Sequence, residues 1–265
     1  MEKKRVLIVT QEMEPYLIQS EVSKVIGSYP QYVQEHGLEI RVLMPRFGSI
    51  NERRHRLHEV VRLSGINIQV DEDDYPLLIK VASLPGARMQ VYFLDNEDFF
   101  KRKSVFGDDT EPFFADNTER MIFFCKGVIE TVRKFGWPPH IIHCHGWMTS
   151  LIPYYLKNNY KNDPVFQNTK VVYSVYENSF EGALPNEFAK KAAGGVNFEL
   201  FEKGDNTSLS VGGASFADAV IKASAIVPAS VQAVLNQNGK PVLDYQEDDA
   251  VPAAYEAFYK ELLND

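Results

Sequence analysis

Cysteine is scarce in this chain of 265 residues, which carries only Cys125 and Cys144. Neither lies in a Cys-x-x-Cys pair or in another spacing typical of metal ligands. The sequence therefore offers no disulfide framework and no cysteine-based zinc site. Cys125 falls in a helical pattern and Cys144 in a strand pattern, so we expect two buried free thiols that pack as small apolar side chains.

Long hydrophobic runs and an excess of basic residues are also lacking. No stretch approaches the roughly 20 apolar residues of a membrane-spanning helix, and the apolar run after Arg5 is too short for the core of a signal peptide. Lys and Arg number 28 against 36 Asp and Glu, which gives a net charge of -8. These features predict a cytoplasmic protein that binds neither membranes nor nucleic acid and whose partner is small or neutral.

Several catalytic motifs are missing. No G-x-G-x-x-G or Walker loop follows the first strand, and no Ser or Cys lies in a nucleophile elbow. These absences argue against a dinucleotide enzyme, a P-loop enzyme and an α/β-hydrolase, and we expect neither a cofactor nor a bound metal. Glu177 and Glu181 could imitate the carboxylate pair of a glycosidase, but their separation cannot be set from the sequence.

What the sequence does contain is an alternation of strand and helix patterns. Strands are predicted over 6–9, 39–44, 140–145 and 170–175, and helices over 20–35, 116–136, 147–157 and 210–216. Such alternation predicts an α/β fold with a doubly wound, mostly parallel, Rossmann-like sheet. Period-two patterns between residues 58 and 95 predict an inserted meander of shorter strands.

The domain prediction is a single unit over residues 1–265. Residues 1–235 supply the sheet and its helices, 236–250 form a polar linker, and 251–265 form a terminal helix. Apolar side chains recur along that helix at helical spacing and need a surface to cover, so we expect the helix to pack back onto the sheet. The stripe consists of Tyr255, Phe258, Tyr259 and Leu262.

Five segments together resemble one family. They are the loop over 11–22, the turn over 45–48, the helix start at Asp116, Asn117 and Arg120, the run His143 to Met148, and the segment with Gly212, Gly213, Ala217, Asp218 and Ser224. All are similar to the N-terminal catalytic domain of bacterial glycogen synthases and plant starch synthases, glycosyltransferase family 5, which has the GT-B fold. The resemblance implies ADP-glucose as donor and an α-1,4-glucan as acceptor.

The same resemblance implies a second domain of comparable size, which we expect to be excised here while the terminal helix is retained. The alternative is that an amphipathic helix ends the chain without any such deletion. Most of the family's nucleotide site lies in that second domain.

The motifs also depart from the family at reactive positions. The family loop reads Lys-Thr/Ser-Gly-Gly-Leu, whereas this chain has Ile18 for the lysine and Ser20 and Glu21 for the glycines. Tyr176 takes the position of a family histidine, and Gly146 that of an aspartate. A phenol exchanges protons poorly near neutral pH. We therefore predict impaired catalysis and assign no catalytic residue, and the sequence leaves open whether ADP-glucose still binds.

The residues that we predict to contact substrate are His143, His145, Trp147, Tyr176, Glu177 and Asn178. His143 and His145 alternate along a strand and so share a face, where they could grip a metal, line a crevice, or serve as structural hydrogen-bonding groups. Trp147 could stack on a sugar ring or pack in the core.

Two functional hypotheses follow. One is a non-catalytic protein that binds α-glucan or another carbohydrate, or regulates glycogen metabolism. The alternative is half of an active glycosyltransferase, completed by a partner chain or by a homodimer through the face left by the missing domain.

Overall fold

The computed structural model describes residues 3–87, 89–177, 180, 182, 184–192, 197–201 and 208–264. Its strands are β1 Arg5–Thr10, β2 Glu39–Pro45, β3 His58–Glu59, β4 Ile66–Val70, β5 Asp73–Ser83, β6 Gln90–Asp95, β7 Ile141–His145, β8 Lys170–Val175, β9 Ala219–Lys222 and β10 Val242–Leu243. Its α-helices are α1 Glu21–Glu35, α2 Glu52–His55, α3 Glu97–Phe100, α4 Asn117–Phe135, α5 Leu151–Lys157, α6 Phe188–Lys191, α7 Ser208–Phe216, α8 Ala229–Asn238 and α9 Val251–Asn264. Single 3₁₀ turns span Trp147–Thr149 and Phe198–Phe201.

The strands form one sheet in the order β10-β9-β8-β7-β1-β2-β6-β5-β3, and β4 pairs with β5. The pairs from β10 to β6 are parallel, whereas β5 runs antiparallel to β3, β4 and β6. This confirms the doubly wound, mostly parallel sheet and its inserted meander. The chain winds outward from β1 in both directions, so a crevice is expected where the carboxyl ends of β1 and β7 lie side by side.

The sequence signals of helix α1 explain why it forms. The Ser20 side chain accepts a hydrogen bond from the backbone N–H of Val22 and so caps the first turn. Val22, Ile26 and Tyr29 recur at helical spacing and are buried. The helix ends just before Gly37, whose φ of 103° is a conformation that favours glycine.

Two predicted helices differ in detail. The Asp116 side chain makes no capping hydrogen bond to α4, because its carboxylate pairs with the guanidinium of Arg102 instead. The helix predicted over 147–157 is a 3₁₀ turn followed by α5. The stretch predicted as a linker, 236–250, includes the last turn of α8 and strand β10, which pairs with β9.

The terminal helix α9 packs against α1, as predicted. Its stripe is enclosed, with Tyr255, Phe258, Tyr259 and Leu262 all buried. Burial of one such side chain stabilises the folded state by about 1.5 to 3 kcal/mol before entropy is counted. Helix α9 is therefore an integral layer of this face of the sheet.

Both cysteines are buried and free of disulfides. The Cys125 thiol donates to the carbonyl oxygen of Met148 at 3.0 Å. Within the described residues, no group of three His, Cys, Asp or Glu side chains is placed to hold a metal ion. Among those residues, too, no helix has the length and apolar character that crossing a bilayer would need.

Candidate functional site in the crevice

The candidate site lies at the carboxyl edge of the sheet, where α/β proteins bind their ligands. The loop after β1 runs from Gln11 to Ser20 and leads into α1. Gly146 follows β7, Glu177 lies just after β8, and Ser224 lies just after β9. We call this set of loop residues the crevice.

A buried carboxylate organises the loop between β1 and α1. Glu12 is 0% exposed, and its Oε2 accepts hydrogen bonds from the backbone N–H groups of Gln19 at 2.7 Å and Ser20 at 2.8 Å. Its Oε1 accepts from the Ser20 hydroxyl at 2.6 Å. Amides at the start of a helix form a natural anion site. In this chain the two amides just before α1 are occupied by the protein's own carboxylate.

The side chain at the position of the family's loop lysine takes no part in this hydrogen-bond network. Ile18 is 55% exposed and carries neither charge nor hydrogen-bonding group. The loop therefore presents no cation at this position. Sequence reasoning found the loss of the lysine, but it missed Glu12, because a carboxylate eight residues before a helix cap gives no recognisable signal.

A second carboxylate joins three loops of the crevice. The Ser224 hydroxyl donates to Oε1 of Glu21 at 2.5 Å and accepts from the backbone N–H of Glu177 at 2.9 Å. Glu21 stands where the family has a glycine, so the side chain that links these loops is one that the family motif lacks. The crevice consequently carries two carboxylates near the start of α1.

The space beside Gly146 is occupied by a neighbouring side chain. Its φ is 81°, and a Cβ added there would lie 2.3 Å from Oε1 of Gln11. That oxygen also accepts a hydrogen bond from the backbone N–H of Met148 at 3.3 Å. The Gln11 side chain thus fills the space beside the position where the resembled family carries an aspartate.

His143 and His145 lie side by side beneath two helices, with ring centroids 3.8 Å apart and no exposed area. His143 Nδ1 is 2.5 Å from the Tyr259 hydroxyl of α9, and its Nε2 is 2.8 Å from the Ser174 hydroxyl. His145 Nε2 is 2.9 Å from the Tyr29 hydroxyl of α1, and its Nδ1 is 2.8 Å from the Tyr176 hydroxyl. We call the set formed by His143, His145, Tyr29, Tyr176 and Tyr259 the histidine–tyrosine cluster.

This cluster is uncharged near neutral pH. Burial lowers the pKa of His145 to about 3. Burial, together with the neighbouring His145, lowers the pKa of His143 well below its usual value. Burial likewise raises the pKa of the Tyr29, Tyr176 and Tyr259 phenols well above 10. Of the roles that the sequence left open for the two histidines, structural hydrogen bonding fits this geometry best.

Trp147 is separated from the histidines and sits among aromatic rings. Its ring centroid lies 5.1 Å from that of Phe106, 6.0 Å from Phe113 and 5.0 Å from Phe180. Only 5% of the residue is exposed, so its faces pack against these rings. A sugar could stack on Trp147 only after one of these neighbours moved.

The structure does not bring the six residues predicted to contact substrate together in one site. His143, His145 and Tyr176 come together in the buried cluster, Trp147 joins the aromatic group, and Glu177 is exposed at the crevice. Asn178 lies outside the described residues. Contact of any of the six with a substrate stays a prediction.

Comparisons with known proteins agree with the geometry of the sheet. The family model described as the starch synthase catalytic domain matches residues 5–233. Glycogen synthase from Chlorobium limicola is 39% identical over 216 residues, covering 81% of this chain and 44% of the relative. Glycogen synthase from Chlorobaculum parvum is 34% identical over 257 residues, covering 96% of this chain and 51% of the relative.

A solved structure gives the same picture at the level of the fold. The catalytic domain of starch synthase IV from Arabidopsis thaliana, bound to ADP and acarbose, superposes with a TM-score of 0.79 at 17% identity. The match covers 94% of this chain and 53% of that one. The chain thus spans about half the length of the relatives it matches. With a family match that extends over most of its length, this chain belongs to the starch synthase catalytic domain family.

Proposed function

We propose that this chain is a glycogen/starch synthase-like domain with impaired glucosyl transfer that binds an α-glucan or regulates glycogen metabolism. The coarser part of this statement, a glycosyltransferase domain of the glycogen and starch synthase type, follows from family membership. The impairment and the binding or regulatory role are the proposal.

The observation that carries the proposal is the state of the loop between β1 and α1. Transfer from a nucleotide sugar needs a cation or free amides to stabilise the departing diphosphate. Here Ile18 supplies no cation, and Glu12 already accepts from the amides of Gln19 and Ser20. A phosphate that approached the start of α1 would also meet the negative charge of the Glu21 carboxylate.

The first test measures incorporation of radiolabelled glucose from ADP-glucose into glycogen by the purified chain. We expect a rate at least about a hundredfold below that of Chlorobium limicola glycogen synthase assayed in parallel, since loss of a single charge-stabilising group costs that much in other enzymes. The Ile18→Lys, Tyr176→His double variant is assayed alongside. A comparable rate for the unmodified chain would show that the impairment is wrong.

The second test addresses the carbohydrate itself. Native electrophoresis through gels with and without glycogen should retard the chain only when glycogen is present. Equal migration in both gels would remove the glucan-binding role and leave regulation through another partner. Bovine serum albumin in the neighbouring lane controls for the effect of glycogen on the gel.

A second candidate function is an enzyme completed by another polypeptide or by a second copy. It is favoured by two exposed apolar side chains beside the crevice, Ile18 at 55% and Ile226 at 65% exposure. They lie three residues before Glu21 and two residues after Ser224, the pair that joins these loops. Transfer activity that appears only when a co-purified chain is added back would support this function over the first.

A further inference from the structure

A separate concave surface lies at the far end of the sheet from β10, between helix α2, strand β3 and the turn after β5. A cavity of about 650 Å³ is lined there by Tyr16, Arg54, His55, Arg56, His58 and Ser83, among others. This volume is in the range of sites that hold small molecules. Of the loop between β1 and α1, Tyr16 lines this cavity, whereas Glu12 and Ser20 do not.

The charge of this surface is opposite to that of the whole chain. The protein carries a net charge of -8, yet residues 53–62 contain four arginines and two histidines, with Glu59 as their only carboxylate. The neighbouring Glu52 is engaged elsewhere, 2.7 Å from Lys80 Nζ and 3.4 Å from Arg46 Nε. Across the described ranges, the ion pairs within 4.0 Å include neither Arg54 nor Arg56.

The local backbone brings the cationic side chains to one side. Arg56 ends α2 in the left-handed conformation, with φ 55° and ψ 43°, which residues with a Cβ seldom adopt. Beyond this reversal His58 begins β3, so Arg54, Arg56 and His58 all line the same cavity. The exposure of both guanidinium groups leaves their N–H donors open to a ligand.

The floor of the cavity is fixed by Tyr16. This residue is 6% exposed, and its ring packs edge-on against His55 with centroids 4.9 Å apart and against Phe93 at 5.0 Å. The Tyr16 hydroxyl donates to the carbonyl oxygen of Ser83 at 3.3 Å. One wall of the cavity is therefore an ordered aromatic and hydroxyl-bearing surface, and the other is cationic.

We propose that this cavity binds a small phosphate monoester, with the phosphate held by Arg54 and Arg56 and the organic part lying toward Tyr16 and Ser83. The planar guanidinium fork matches the oxygens of a phosphate and binds them through two parallel hydrogen bonds. The cavity is several times larger than a phosphate ion requires, which leaves room for a sugar-sized group. The inference does not depend on the function proposed for the crevice.

The test is a titration of the isotopically labelled chain, followed by NMR, with glucose 1-phosphate, inorganic phosphate and glucose at pH 7 and low salt. We expect saturable shifts of the amides of residues 54–58 and of Ser83 with both phosphates, a lower Kd for the ester, and no shift with glucose. Binding should also raise the pKa of His55, which burial and the charge of Arg54 hold below its usual value, because an anion stabilises the imidazolium.

The matched variants remove two positive charges from the same segment. Arg54→Gln with Arg56→Gln should weaken binding of the ester at least about tenfold, the scale expected when two charge-assisted contacts are lost. Arg53→Gln with Arg62→Gln removes the same charge from exposed residues outside the cavity lining and should change Kd less than about twofold. Circular dichroism of both variants verifies that the fold is kept.

Several outcomes would overturn the proposal. If both double variants bound the ester equally weakly, the ester would be attracted by the positive charge of the segment in general and not by this cavity. Equal affinity for the ester and for inorganic phosphate would remove the role of the organic part. Shifts with glucose alone, an unchanged pKa of His55, or no shift with either phosphate would each show that this cavity is not such a site.

Discussion

The histidine–tyrosine cluster and the loop between β1 and α1 both contain polar groups from family motifs, but they use them differently. In the cluster, neutral imidazoles and phenols hydrogen-bond to one another beneath α1 and α9. In the loop, the Glu12 carboxylate holds backbone amides at the edge of the crevice. The comparison teaches that the motif histidines are enclosed in the interior as neutral hydrogen-bonding groups, whereas the motif loop binds a carboxylate of its own at the edge of the crevice.

Removing the ring of Tyr259 should break the cluster most severely. Tyr259→Ala deletes a fully buried aromatic side chain of α9 and leaves His143 Nδ1 without its nearest partner. We expect the free energy of unfolding to fall by about 4 to 5 kcal/mol, measured by urea denaturation. Tyr259→Phe should lose only about 1 to 2 kcal/mol, and Glu261→Ala on the exposed face of α9 less than about 0.5 kcal/mol. A loss below about 1.5 kcal/mol for Tyr259→Ala would contradict the importance of this contact.

Acid should weaken the same cluster without any mutation. The pKa values of His143 and His145 are lowered in the folded state, so the unfolded chain binds protons first as the pH falls below about 6.5. The stability contributed by the neutral histidines is present above pH 6.5 and is lost as the pH falls toward the folded-state pKa, about 3 for His145. Between pH 7.5 and pH 5 we expect a loss of about 2 kcal/mol from His145, and a further loss from His143, whose pKa is lowered in the same direction.

Urea denaturation at the two pH values checks this expectation. His145→Gln should shrink the pH-dependent loss by about 2 kcal/mol, since the variant has one titrating group fewer. His58→Gln, which removes an exposed histidine, should leave the loss unchanged. An equal loss in all three proteins would mean that other groups cause the acid sensitivity.

In the loop between β1 and α1, Glu12→Ala is the substitution that corresponds to Tyr259→Ala in the cluster. The change leaves the N–H groups of Gln19 and Ser20 and the Ser20 hydroxyl without their acceptor. We expect a loss of about 2 kcal/mol, smaller than for Tyr259→Ala because no aromatic side chain is removed from the core. Amide hydrogen exchange provides the local measurement, since protection of the Gln19 and Ser20 amides should fall in this variant and persist in Tyr259→Phe. Unchanged protection of both amides would show that Glu12 does not hold them in solution.

The smallest effect is expected at Ile18. Because this side chain is 55% exposed, Ile18→Lys should alter the free energy of unfolding by less than about 0.5 kcal/mol. Thermal or urea unfolding measures the change, with Ile226→Lys as the matched exposed position. If the free energy of unfolding fell by more than about 1 kcal/mol, Ile18 would have to pack against other residues in solution. The loop would then resemble the histidine–tyrosine cluster more closely than the structure indicates.

Local patterns in the sequence were sufficient to predict most of the fold. Ser20 and the apolar spacing that follows it specify α1, and the apolar run of β8 set its bounds at Lys170 and Val175. The packing of α9 followed from its stripe of aromatic side chains. These features depend on neighbours within a few residues, so the sequence alone carries the information.

The site was harder to predict because its contacts join distant parts of the chain. Tyr29 meets His145 across 116 residues, and Gln11 meets Met148 across 137. Periodicity placed the two histidines on one face of β7 but could not indicate that Tyr259 would cover them. The same limit explains why Glu12 was missed, since only the folded loop brings its carboxylate to the amides of Gln19 and Ser20.

The contact between Gln11 and Gly146 also constrains how this sequence can change over time. Any β-carbon at position 146 would meet the Gln11 side chain at 2.3 Å. An aspartate at position 146 would therefore require the Gln11 side chain to move away or to be smaller, and it would also have to adopt a φ of 81°. Positions 11 and 146 are therefore coupled, and the effect of a substitution at one of them depends on the residue at the other.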